Sequence, residues 1–471
     1  MAMLLRVACL LQVFAIAHAG DWTLSDSVSL SLSGIQRDND VAADISYLAL
    51  QARPGFKLSG KGSRVQADIN YSLAANARSG DIDGYSTSHS LKAQASSELY
   101  EDMVFLSASA SAGLANRNAT SASVDTLSAD SDAVQTYSFT LSPEFRYHLG
   151  TFADLVSRNS FRYSTNDSAQ ARDTRSDTLH IGMDSGRRFS RLGWSIGYTD
   201  TTTYRQVSTD HASSFDTNAS YRLNRHWQVL GGVGHSENDA PSARTRTSGF
   251  TWNVGANWTP NPRTNANARF GHRYHGYFWN GRFTHKTRRT SISATFLRSL
   301  TDTTALLAQP VEVWRDEDLT WVIDPDPDLE SDLTFYGSGT RFVPSDENFI
   351  NTSAGLTVAV SGRRTTLTGN LTGSIREYEV TGLREERFGL YVGASRQLSG
   401  KTSVNLAAEF SDLDGSLGRE DSTFDASVGI STKLGRHSSL GASLRTRFND
   451  ADDNTGYSEQ RFTVTLSSTF L

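Results

Sequence analysis

Downstream of an apolar opening, the chain settles into a two-residue rhythm. In "SRVQADINYSLAANARSG", Val65, Ala67, Ile69, Tyr71 and Leu73 fall on one side, and Gln66, Asp68, Asn70 and Ser72 on the other. Successive side chains of a strand leave on opposite faces, so this repeat predicts a strand with one apolar and one wet face. The pattern returns in "SGFTWNVGANW", "RFGLYVGAS", "KTSVNLAAEF", "STFDASVGI" and "QRFTVTLSSTF". Helical spacing is almost absent, and the chain reads as all-β.

Connections alternate between short and long. SGKGS, YED, LNRH, SGRR, LSGK and LGRH are short; "QRDNDVAAD", "RSGDIDGYSTS", "STNDSAQARDTRSD" and "NDADDNTGYSEQ" are long and polar. Counting strands this way predicts about 22, within roughly 18 to 24 because boundaries slip easily. Short turns at one end and long loops at the other are what an outer-membrane barrel requires. A soluble sandwich would not sustain that asymmetry along the whole chain. Aromatic residues gather by the short turns (Tyr147, Phe152, Phe189, Trp194, Tyr221, Trp227 and Trp258), as in an interfacial girdle. The predicted fold is a closed antiparallel transmembrane β-barrel with no plug domain, its apolar face turned to outer-membrane lipid. Pro54 and Pro143 interrupt strand-like runs and predict a bulge or bend.

Composition then narrows the class. Of 471 residues only 37% are hydrophobic, and no run after residue 19 is long enough for a transmembrane helix. "MAMLLRVACLLQVFAIAHAG" has one Arg, an apolar core and an Ala-His-Ala site, the signature of a secretory signal peptide cleaved after Ala19. The single cysteine, Cys9, lies within it, which excludes disulfide scaffolds and thiolate sites from the mature chain. The domains are therefore a signal at 1–19 and a barrel at 20–471, with a long loop at about 298–350 where the rhythm fails.

The stretches "SLSLSGIQRDNDVAADISYLALQARPGFKLSGKGSRVQADINYSL" and "SSELYEDMVFLSASASAG", the central "FGHRYHGYFWNGRFTHKTRRTSISATF" and the closing "STKLGRHSSLGASLRTRF" carry a resemblance. They resemble the PEP-CTERM-system-associated outer-membrane protein family. The resemblance implies the outer membrane of a Gram-negative bacterium with exosortase and exopolysaccharide systems, and assembly by the barrel-assembly machinery. Acidic exopolysaccharide or export components are its implied partners.

No catalytic constellation is present: there is no G-x-S-x-G, H-E-x-x-H or P-loop. His272 and His275 are an i, i+3 pair and cannot chelate one ion from one strand face. "NDADDNTG" has calcium-like spacing but lacks the distal Glu, and with "DPDPDLE" reads as a solvated loop. No cofactor, metal or enzymatic activity is expected. The net charge of -6 gives no case for nucleic acid. The candidate site is a basic cluster on the wet face: Arg269, Arg273, Arg282, Lys286 and Arg289, with Arg445 and Arg447 near the end of the chain. Such groups would meet acidic sugars or set anion preference; alternatively they pair with lumen acids such as Asp68 and Glu409. The expected function is a porin-like or export-associated channel. The alternatives are a non-conducting scaffold or receptor working through its long loops and, last, an outer-membrane enzyme.

Overall fold

The computed structural model describes residues 20–116, 127, 133–167, 173–205, 209–239, 247–301, 348–415, 419–451 and 456–470. The described residues form 22 antiparallel strands, from β1 (Gly20–Asn39) to β22 (Tyr457–Phe470). Each strand pairs with its neighbours in sequence, and β1 closes the ring on β22 from Asp26↔Phe470 to Asn39↔Tyr457. Closure leaves no sheet edge, which is what allows a backbone to sit in hydrocarbon. Among the described residues no helix is long and apolar enough to cross a membrane. The predicted signal peptide and the segment 302–347, including "DPDPDLE", lie outside the described residues, as do residues 452–455 of "NDADDNTG".

Directly paired residues share a face, so the two faces can be traced around the ring. Leu406, Val428, Leu444 and Phe462 stand opposite one another across β19 (Thr402–Gly415), β20 (Arg419–Lys433), β21 (Ser438–Ala451) and β22. All four are exposed, Phe462 by 55%. An apolar belt of this extent, on every side of the ring, is a lipid-facing surface. Ile69 and Tyr71 of β3 (Val65–Gly80) pair with Leu58 and Phe56 of β2 (Ile45–Gly62) on that same outer face. At the short-turn end Trp22 lies flat over Gly60, where an added Cβ would fall 2.2 Å from the indole. Phe152, Phe189 and Trp194 cluster at 5.6–5.9 Å, and Trp227 stacks on Trp258 at 5.8 Å. Both groups sit by short turns, as the girdle reading expects.

The end that holds Gly20 and Phe470 has connections of two to six residues; the opposite end holds the longest, 117–132 and 302–348, but also short ones such as 81–83 and 274–275, so the alternation of short and long is less regular than the sequence predicts. Pro54 and Pro143 do not produce the expected bulge. The β1–β2 register runs unbroken through Val28↔Pro54, and Leu106↔Pro143 is equally regular. The missing donors face the other neighbour: the ladder to β3 skips Arg53 and Pro54, and the ladder from β6 (Ala133–Leu149) to β7 (Ala153–Asn166) skips Ser142 and Pro143. Two absent bonds are accommodated without a shift in register.

The wall is modified near its long-loop end in two places. The Leu127 side chain, from the connection after β5 (Val104–Asn116), is buried against the inward-facing Ile35, Tyr47 and Ala49, and the Tyr47 hydroxyl donates to its carbonyl at 2.7 Å. The pairing of β4 (Gly84–Tyr100) with β5 ends at Leu91↔Ala112 although both strands continue. There the Gln135 amide stands in for a peptide group: Oε1 accepts from His89 N–H at 2.8 Å, and Nε2 donates to the carbonyls of His89 and Gly113 at 2.9 and 3.0 Å.

Candidate functional site: a basic stripe on the lumen wall

The inner face is polar, and most of its arginines are held by acids. Glu144 binds both Arg146 and Arg158 on β6 and β7. Glu385 of β18 (Arg384–Gln397) lies between Arg387, at 3.2 Å, and Arg376 of β17 (Thr365–Tyr378), at 3.9 Å. At the closing seam Asp425 binds Arg445, and Arg447 at 2.7 Å; Glu459 binds Arg37 at 2.8 Å and Arg461 at 2.9 Å. These seam side chains are all buried. Removing such charges from water is tolerable only with close partners, and each has one. Arg445 and Arg447 are therefore structural ion pairs, and they pair with Asp425 and not with Asp68.

The wall of β13 (Thr264–Arg273) and β14 (Gly276–Lys286) differs. Arg269 pairs in register with Asn280, and Arg282 with Asn267, so these two guanidinium groups are diagonal neighbours on the inner face. Arg273 follows on the same face at the long-loop end. Among the described residues none of the three is in an ion pair. Lys286 continues the line on the same face of β14, and Arg289 sits in the exposed short turn that follows. From the register of Arg273 to Arg289 is about 40 Å along the strands, at about 3.3 Å per residue. The five residues thus form a stripe from one end of the barrel towards the other.

Near the long-loop end the stripe borders a cavity of about 330 Å³, whose walls include Arg269, Arg273, Phe278, Asn280 and Leu297. Phe278 faces inward between the two arginines because Gly271, its register partner, has no side chain; a Cβ there would lie 2.7 Å from the ring. The Arg273 guanidinium stands 5.1 Å from the centre of that ring. Sequence reading missed Phe278, although the run Tyr277-Phe278-Trp279 forces one aromatic onto the wet face. His272 is on the outer face against Tyr277 at 5.1 Å, and His275 is buried in the hairpin turn against Tyr274. The described residues include no group of three or more His, Cys, Asp or Glu placed to hold a metal ion.

No protein-family model and no curated protein matches the sequence. Solved structures do match in fold. A variant of the ferric enterobactin receptor of Pseudomonas aeruginosa, solved with enterobactin, is 11% identical with a TM-score of 0.52, over 94% of this chain and 81% of that one. A second variant of that receptor is 10% identical with a TM-score of 0.50, over 94% and 80%. At such identity the likeness concerns the fold. It nevertheless overturns the expectation of a barrel without a plug, because receptors of this architecture carry a plug domain. A wall of 22 strands encloses a lumen wide enough to hold folded protein, and strand rhythm carries no record of what fills it. Both of these similar structures are receptors. With its closed 22-stranded wall, lipid-facing belt and aromatic girdle, the chain is a β-barrel of the Gram-negative outer membrane.

Proposed function

We propose that this barrel is a transport protein for anionic solutes, which travel along the stripe of β13 and β14. The observation that carries this reading is the contrast within one lumen. Arginines on β6–β7, β17–β18 and β20–β22 meet acids, whereas Arg269, Arg273 and Arg282 have no acid partner among the described residues. Adjacent like charges on a sheet repel one another, so a row of them is stabilised by an anion from solution. Guanidinium groups suit carboxylates in particular, because two parallel N–H donors match two oxygens. Rings and rows of basic side chains are a general basis of anion preference in pores.

Uptake through a receptor-type barrel and passage through a porin-like channel both use such a stripe. The receptor form draws support from the fold shared with the ferric enterobactin receptor. Acidic polysaccharide, suggested by the resemblance in the sequence, is one class of anion the stripe would accept. The test is efflux from proteoliposomes of labelled galacturonate against galactose, a neutral sugar of similar size. Faster galacturonate efflux, abolished when Arg269, Arg273 and Arg282 are all changed to Gln, is expected. Equal rates for the two sugars in the unaltered protein would overturn the reading.

A further inference from the structure

We propose that the cavity beside Phe278 is a binding site for a single ring bearing a carboxylate, either an aromatic acid or the ring of an acidic sugar. This deepens the anion-transport reading and rests on it. The stripe alone recognises charge and would treat all small anions alike. The cavity adds a second element. Gly271 lets the Phe278 ring lie on the inner wall between the registers of Arg269 and Arg273, four residues apart on the same strand face. Any side chain at position 271 would meet both that ring and the Trp252 carbonyl, 2.3 Å from an added Cβ. The aromatic surface is thus presented by the backbone itself.

Four features define the ligand. The two guanidinium groups call for a carboxylate, taken through paired N–H donors. Phe278 and Leu297 supply an apolar wall against which a ring packs, and an aromatic face also accepts the C–H side of a sugar. The volume, about 330 Å³, is at the small end for ligand pockets, which fits one ring and not a folded oligomer. Asn280, in register with Arg269, offers an amide for a hydroxyl. Arg273 already stands over Phe278, so the same cation can hold the carboxylate while the ring packs beside it.

The experiment is calorimetric titration of the refolded full barrel in detergent with benzoate, galacturonate and acetate. Acetate carries the charge without the ring. At least one ring acid should bind about tenfold tighter than acetate, a gain within reach of one aromatic contact with its cation. Phe278→Ala should bring that acid to within about twofold of acetate, and Phe278→Tyr should keep most of the preference. Arg273→Gln with Arg269→Gln should weaken all three. Tighter benzoate would assign the site to aromatic acids, and tighter galacturonate to acidic sugars. If acetate equals both ring acids while anion efflux stays selective, the ring site is overturned and the stripe stands. If efflux shows no anion preference either, both readings fall together.

Discussion

The Arg37 guanidinium donates to the Glu459 carboxylate at 2.8 Å across the seam where the first strand meets the last. Both side chains are buried, and the two residues stand directly opposite each other in the register that closes the barrel. Past Ile35↔Arg461 on the same face, Ser33 and Thr463 join their hydroxyls at 2.8 Å, and Ser31 and Thr465 at 3.0 Å in the next pair. The ladder that closes the ring thus carries a charge pair that the observed register brings face to face.

Breaking that pair should loosen closure. Arg37→Ala takes one cation from the buried Glu459, at a cost of about 3–5 kcal/mol for a buried pair. Glu459→Gln should cost more, because it strips the acid from Arg37 and Arg461 together. The shift from folded to unfolded mobility on a gel, followed against temperature, measures both. Equal melting of the two variants and the parent would remove the seam from the stability account.

Gln135 makes a local prediction. Gln135→Leu leaves the His89 N–H and carbonyl without their partners, a penalty of about 1–3 kcal/mol. Hydrogen exchange at His89 should accelerate, while Ala110, within the intact β4–β5 ladder, stays protected. Gln135→Glu should behave similarly, since it keeps an acceptor but loses the two Nε2 donations.

Leu127 bears on how far the lumen is filled. Its side chain is 4% exposed among Ile35, Tyr47 and Ala49. Leu127→Asp would bury a charge in an apolar socket, which releases the contact. Single-channel conductance, or efflux of a neutral sugar, should rise while the melting of the wall stays unchanged. An unaltered rate would mean that this contact does not obstruct the path.

Much of this architecture is legible in one sequence, because alternation writes the inner and outer faces directly into each strand. Arg269, Arg273 and Arg282 could be placed on the wet face for that reason. Register is not written there. Asp68 looks like a partner for Arg447 by face alone, but β3 is four strands from β21 around the ring, about 19 Å at 4.8 Å per strand. Glu409 pairs in register with Asp425, and Asp425 with Arg447, so all three stand in one row across β19, β20 and β21. The bulge expected at Pro54 is absent for another reason: a missing donor interrupts one ladder, and the opposite ladder holds the register. The expectation of a plugless lumen failed because a lumen's contents need not alternate with anything.

The most direct test of the central claim is the reversal potential of the refolded barrel in a planar bilayer under a salt gradient. Arg269, Arg273 and Arg282, which have no acid partner among the described residues, predict anion preference, reduced stepwise as they are changed to Gln, and blunted at high salt as charges are screened. Cation preference, or anion preference that survives all three substitutions, would contradict it.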